Sequence, residues 1–388
     1  MQEREPNAMD ALNASISHIT ENIDRYRKQP QHFTRKSKLP FEKLVNVVLN
    51  MQGNCLNAEL QEAFPELSER MTASAYVQAR DKLSLPVFED LLSDYNQSAP
   101  KRLLNGKYRL YAIDGSDFKT PWNPKSAFIV DTNKRNGESL KPFCQIHANI
   151  MYDIIARQYM DCVLQPRNSC NERDAALEMI GRMPKETRSP KTAVQQWDFE
   201  DRCTIKFRAV KFLINDPDTG KDVWEVLVTN LNRLEFPVAK MKELYHMRWD
   251  IETSFRDMKY SIGAIHFHSK KDEAVQMEIY ARLIMFNAVE RNIIAAKEWE
   301  AAQTETAKQA VENTENSDTK ETATKYPYNI DFKMACLSTR RFFRLHCNEP
   351  IEKLYEELLK YKQPIRQGRR DERNVKIKSA VAFVYRVA

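Results

Sequence analysis

The run from Tyr245 to Lys259 constrains the fold of this chain more than any other segment, because its polar and apolar residues recur at helical spacing. At about 100° of rotation per residue, Tyr245, Arg248, Glu252 and Lys259 fall within an arc of roughly 60° on one helical face. A second stripe, Leu244, Met247, Ile251, Phe255 and Met258, lies beside it. A core-facing side thus adjoins a side carrying one carboxylate, two cations and a phenol, a combination suited to a metal ion and a phosphate. Glu and Arg four residues apart also form ordinary surface ion pairs, worth ~0.2–0.5 kcal/mol, and spacing alone leaves both readings open.

Around this helix the texture of the chain changes several times. Residues 1–100 read as short helices: Phe41, Leu44, Val45, Val48 and Leu49 recur at helical spacing, Leu56 to Phe64 forms a second segment, and Thr72 is placed to cap a third. From Tyr108 to Ile113 the residues favour a strand, which the sequence predicts to end in a turn at Asp114-Gly115-Ser116. Two further strands are expected within 143–155 and 159–164, and then a helix from Asn171, its expected cap, to Met183. Residues 204–212 alternate with period two, and 224–229 form another strand after the turn sequence Asp216-Pro217-Asp218-Thr219-Gly220, so a hairpin is expected. Pro237 precedes the Tyr245 helix and Gly263 is placed to end it. A last long helix is expected from Glu273 to about Trp299, followed by a polar stretch to Lys325 that reads as a solvated helix or a linker.

Charge and cysteine usage narrow the class of partner. The net charge of +6 is modest, but basic residues gather at Arg35-Lys36-Ser37-Lys38, at Lys270-Lys271, and in the tail at Arg366, Arg369, Arg370, Arg373, Lys376 and Lys378, a distribution that permits a polyanionic partner. The seven cysteines are odd in number and form no C-x-x-C pair, so neither a disulfide framework nor a structural zinc site is implied. The first residues lack the pattern of a signal peptide, and no apolar run approaches the ~18 residues of a membrane span. A cytoplasmic protein with no membrane association is the expectation.

The spacing Tyr245, Arg248, Glu252, Lys259, with Arg248-Trp249-Asp250-Ile251-Glu252-Thr253-Ser254-Phe255-Arg256 around it, resembles the signature of DDE transposases of the bacterial insertion-sequence-four type. Residues 74–83, 263–271 and 378–386 look similar to the same family. The resemblance implies an α/β fold with a ribonuclease-H-like catalytic core interrupted by a β-rich insertion, and with helical N-terminal and C-terminal regions. It implies cleavage and strand transfer of double-stranded DNA at terminal inverted repeats and into target DNA, assisted by Mg²⁺ or Mn²⁺, with a dimer on the DNA and association with the nucleoid. Asp114 and Glu252 would be catalytic carboxylates and metal ligands, and Tyr245, Arg248 and Lys259 would bind DNA phosphates.

One part of the family pattern is missing. The second aspartate normally ends a fourth strand within an Asp-Arg-Gly-Tyr-like motif, whereas here Met183 is followed by a polar stretch without that motif, and the joint near Thr187–Gln196 looks like an internal deletion. Asp161 is expected to be separated from the first strand by the second, Asp174 to complement a helix dipole, and Asp198 and Asp201 to lie near the joint. The second aspartate is thus unassigned, and three readings stand: an active transposase, a catalytically dead DNA-binding derivative or repressor, and a nuclease of the same fold. The expected organisation is a helical region at 1–104, which would contact DNA, a catalytic core at 105–299 with the insertion at about 184–235, a polar segment at 300–326, and a basic C-terminal region at 327–388.

Overall fold

Residues 143–153 are buried at almost every position, as a strand covered on both faces requires. The computed structural model describes residues 6–130, 141–183, 208–215, 222–312, 327–346 and 348–365. In it Phe143–Asp153 forms β3, the centre of a four-stranded sheet. Strand β1, Tyr111–Thr120, pairs with one edge of β3, while β4, Gln158–Pro166, and the short β2, Ile129–Val130, pair with the other. All three pairings are antiparallel, with Tyr111 opposite Asp153 and Met151 opposite Asp161. Among the described strands, none pairs with the outer edge of β1.

The turn expected at Asp114-Gly115-Ser116 is corrected by this register. Strand β1 continues to Thr120, and Asp114 lies within it, opposite Ile150. Glycine is present for space: a Cβ at Gly115 would lie 2.5 Å from Nε2 of His147 and 3.0 Å from the Glu172 carboxylate. A residue whose function is to leave room for a long-range neighbour is easily mistaken for a turn former.

Helices cover both faces of the sheet. On one face α6, Glu172–Arg182, sets Ala175 and Met179 against Met151 and Val163, and Asn171 caps it as expected, accepting from the backbone N–H groups of Arg173 and Asp174. On the other face lies α9, Asp272–Glu312, whose 41 residues span ~60 Å at 1.5 Å each. It is longer than the expected helix ending near Trp299, and residues 301–306 are exposed. Between Ala274 and Ala296 apolar residues are buried on every side of α9, as in a helix at the centre of a fold.

The N-terminal helices are α1, Ala8–Glu21, α2, Phe41–Asn50, α3, Leu56–Ala63, α4, Ala73–Arg80, and α5, Pro86–Gln97. The Thr72 hydroxyl caps α4 through the N–H of Ala75. C-terminal helices α10, Phe332–Leu345, and α11, Glu352–Leu359, also pack on α9, beside a small sheet of β7, Tyr328–Ile330, and β8, Lys362–Pro364. One apolar cluster joins Met9 and Leu12 near the N-terminus, Ala112, Ile150 and Tyr152 in the sheet, and Leu354 and Leu358 near the C-terminus.

Several charged residues inside this core are paired. Glu278 of α9 meets Arg80 of α4 at 3.2 Å, Arg282 at 3.3 Å and Nδ1 of His268 at 3.1 Å. Arg157, in the β3–β4 turn with a left-handed φ of 55°, donates to both oxygens of Glu290 at 2.9 and 3.0 Å. Asp153 closes the same turn by accepting from the N–H groups of Ile155 and Ala156. The Arg80–Glu278 and Arg157–Glu290 bonds tie elements 198 and 133 residues apart in sequence.

The remaining elements are a hairpin of β5, Arg208–Asn215, and β6, Asp222–Thr229, then α7, Val238–Met247, and α8, Trp249–Tyr260. The result is a mixed α/β architecture with a sheet core and helical flanks. Among the described residues no helix is long and apolar enough to cross a membrane, and Cys55, Cys144, Cys162, Cys170 and Cys336 are free thiols. The joint near 187–196, Asp198, Asp201, Cys203, Cys347, residues 313–326 and the basic tail beyond Ile365 lie outside the described residues.

Candidate functional site

Pro237 opens α7, where its missing N–H and fixed φ are tolerated. The single helix expected from there to Gly263 is interrupted at Arg248. At that point the ladder tightens to three-residue bonds, Arg248 N–H to Tyr245 C=O and Ile251 N–H to Arg248 C=O, each 3.2 Å. Gly263, with φ of 93°, follows the end of α8, and the N–H of Ala264 donates back to the Met258 carbonyl. Tyr245 therefore sits in the last turn of α7, Arg248 at the joint, Glu252 in the first turn of α8 and Lys259 in its last.

Arg248 is the centre of this group. Its Nη1 lies 2.9 Å from a Glu252 carboxylate oxygen, with both side chains more than a third exposed. Its guanidinium carbon lies 5.3 Å from the ring centroids of both Tyr245 and Trp249. Both ring faces thus restrain the cation on a surface that water and ligands can reach.

The hairpin β5–β6 supplies a residue that helical spacing did not reveal. Phe212 and Glu225 are cross-strand partners, and the Phe212 ring packs edge-on against Tyr245 with centroids 5.9 Å apart. Burial raises the pKa of the Tyr245 hydroxyl, and the Glu225 carboxylate adds to the rise, while Arg248 opposes it. Glu225 alternates with the exposed Trp224 and Val226, on the side of β6 that also carries Leu227. The period-two pattern of residues 224–229 was the available signal, since it places an acid on the packed face of a strand.

At the far end of α8, the Lys259 ammonium lies 5.0 Å from the centroid of the Phe118 ring. Burial lowers its pKa, and the charge of Asp117 works in the opposite direction. At the near end Arg157, beside the strand pair Tyr111 and Asp153, lies 3.7 Å from Asp250. With its start near Tyr111 and its end over Phe118, α8 runs along the sheet in the same sense as β1. Asp114 and Glu252 both occupy the first halves of these elements, and Asp114 shares the pleat face of Ala112 and Phe118, which pack in one core with Ile251, Phe255 and Met258.

The Asp114 carboxylate accepts from the N–H of Gly115 at 2.9 Å. On the opposite face of β1, Asp117 meets Nδ1 of His147 at 2.7 Å and Nε of Arg167 at 3.3 Å. His147 and the buried His268 are both engaged with carboxylates, as structural histidines are. Asp161 lies on β4, across β3 from β1, and pairs with Arg182 at 3.0 Å. Asp174 lies in the first turn of α6 and accepts from the side chain of Asn171.

A divalent hard cation takes carboxylate and water oxygens in a nearly octahedral shell. Asp114 and Glu252 are donors of that kind. Among the described residues, no group of three or more His, Cys, Asp or Glu side chains gathers closely enough to hold an ion. The described face thus offers carboxylates of the right chemistry and leaves a third donor unassigned.

Comparison with known proteins points to the same segment. Residues 181–288, which contain α7, α8 and the start of α9, match the family described as Transposase DDE domain. The chain is also 31% identical over 78 residues to "Transposase InsG for insertion sequence element IS4" of Escherichia coli (strain K12), a match covering 20% of this chain and 18% of that protein. The chain is therefore distantly related to transposases of this type over a limited segment.

Proposed function

We propose that this protein is a DNA transposase of an insertion sequence, binding terminal inverted repeats and acting on them by metal-dependent cleavage and strand transfer. The observation that carries the reading is the grouping of Tyr245, Arg248 and Glu252 around the α7–α8 joint, inside the segment that matches the transposase family. Arg248 and Lys259 are cations suited to phosphate oxygens, and Tyr245 adds a hydroxyl donor and a ring face. Asp114 and Glu252 would hold Mg²⁺ or Mn²⁺, which activates the attacking oxygen and stabilises the leaving one. The core would take a ribonuclease-H-like fold with the β5–β6 hairpin as part of the insertion. Pairing of two DNA ends would call for a dimer, working at the nucleoid in the cytoplasm.

A second reading follows from the sequence, which has no Asp-Arg-Gly-Tyr-like motif after Met183: a derivative that binds DNA and does not cut it, and so represses or competes with intact copies. Incubation with DNA bearing the element's own termini, in Mg²⁺ or Mn²⁺, separates the two. Cleavage that Glu252→Gln abolishes supports the enzyme. Binding without cleavage in either metal supports the derivative, and the absence of any binding overturns both.

A further inference from the structure

Two features of β1 leave Asp114 weakly restrained. Among the described strands none pairs with the outer edge of β1, and the residue after Asp114 is Gly115, which has the least restricted backbone of any residue type. The Asp114 carboxylate accepts from the Gly115 N–H at 2.9 Å, so its direction depends on where that peptide sits. A carboxylate that is to bind a metal ion has to be held within about 0.5 Å of its working position.

The other face of β1 supplies a restraint. A Cβ at Gly115 would lie 2.5 Å from Nε2 and 2.7 Å from Cε1 of His147, so the imidazole fills the space in which a side chain of residue 115 would stand. The ring has a carboxylate at each nitrogen: Nδ1 lies 2.7 Å from Asp117, and Nε2 lies 3.5 Å from Glu172, the first residue of α6. Asp117 is in turn 3.3 Å from Nε of Arg167, and the His147 side chain is only 5% exposed. A buried ring with partners on β1 and α6 thus abuts the backbone whose N–H meets Asp114.

We propose that His147 is a positioning residue for the Asp114 carboxylate, acting through Gly115 in place of the side chain that the glycine lacks. This inference rests on the reading of Asp114 as a ligand of Mg²⁺ or Mn²⁺. Contact runs from Asp117 and Glu172 to the imidazole, from the imidazole to the Gly115 backbone, and from the Gly115 N–H to the carboxylate. Without the ring the peptide at Gly115 gains freedom and the carboxylate spends less time in its binding orientation. Metal affinity falls by the same fraction.

The test is Mn²⁺ titration of the full chain without DNA, read from the electron paramagnetic resonance signal of free Mn²⁺, with circular dichroism to check the fold of each variant. His147→Ala should weaken Mn²⁺ binding by about three- to tenfold, at or below the usual cost of removing a group that orients a metal ligand. Adding Gly115→Ala to His147→Ala returns a methyl group to the space the ring filled and should recover most of the loss, which a role confined to stability does not predict. Should His147→Ala fail to fold, His147→Asn takes its place with the same expectation, since it keeps a donor for Asp117 and lacks the ring atoms against Gly115. Unchanged affinity in the His147 variant, or a loss that Gly115→Ala does not recover, overturns the inference while Asp114→Asn still weakens binding. If Asp114→Asn leaves Mn²⁺ binding unchanged, the metal role of Asp114 is what fails, and the inference falls with it.

Discussion

Arg248 and Glu252 meet at 2.9 Å across the break between α7 and α8, so the cation that would hold a phosphate and the carboxylate that would hold a metal ion neutralise each other in the free protein. The pair is part-exposed, and by itself such a contact contributes only ~0.2–1 kcal/mol to stability. Arg248→Ala should therefore leave the urea midpoint nearly unchanged. It should also flatten the dependence of log K on log salt for duplex binding by about one unit, the loss of one phosphate contact. An unchanged slope would remove Arg248 from the DNA contacts.

Lys259 has the opposite balance of stability and binding. Its ammonium is partly desolvated over Phe118, and burial lowers its pKa below the usual lysine value, so the fold disfavours its charge. Lys259→Met should hold or raise stability, by up to about 1 kcal/mol, while weakening DNA binding. A variant that loses stability and keeps its affinity would show that the lysine serves the fold alone.

Glu278 is buried among Arg80, Arg282 and His268. Burial raises its pKa, but the hydrogen bond from His268 and the charges of Arg282, His268 and Arg80 outweigh it and hold the carboxyl at about 2, against an ordinary 4.5. The folded value lies below the unfolded one, so the carboxylate contributes its full stability above about pH 4.5, and this is lost as the pH falls toward 2. Glu278→Gln should cost about 3–5 kcal/mol at neutral pH, because it leaves buried cations unpaired. Urea melts across this pH range should show a smaller pH dependence in the variant; an unchanged slope would assign the acid sensitivity to other carboxylates.

Arg157 offers a test of backbone against side chain. It clamps Glu290 through two hydrogen bonds while holding a φ of 55°. Arg157→Ala loses the clamp and keeps the strained backbone, whereas Arg157→Gly loses the clamp and relieves the strain. Both should be destabilised by several kcal/mol, with Gly milder than Ala by about 1 kcal/mol. Chemical denaturation of the two variants reads the difference directly, and a milder Ala would argue against strain at this turn.

Gly115→Ala should disturb the sheet because its new methyl group meets the His147 ring. A loss of about 1–3 kcal/mol is expected, partly restored by His147→Ala in the same chain. Thermal melts of the single and double variants give the comparison, and the absence of any rescue would place the clash elsewhere.

The parts of the fold that were legible in the sequence are those governed by neighbours within one helical turn or one pleat. Asn171 and Thr72 could be read as caps because a cap bonds to N–H groups two or three residues away. The hairpin of β5 and β6 followed from alternation and the turn sequence between them. The side chains of Tyr245, Arg248 and Glu252 were identified from spacing and family resemblance, and the structure brings Arg248 within contact of the other two.

Local rules failed where a residue answers to a distant partner. Gly115 reads as a turn because the sequence does not show that His147 needs its space. Glu225 looks like an ordinary strand residue until the hairpin is packed on α7 and its neighbour Phe212 meets Tyr245. Arg80 and Glu278, 198 residues apart, carry no mutual signal in the sequence at all.

The sequence by itself indicated many of the helices and strands, and the spacing that sets Arg248 beside Glu252, because periodicity and capping act over a few residues. Only the tertiary structure decided that β1 runs on through Asp114, that the helix breaks at Arg248, and that Phe212 of the hairpin packs on Tyr245. Those outcomes depend on which distant surfaces exclude water together, and that is settled by the packing of the whole chain.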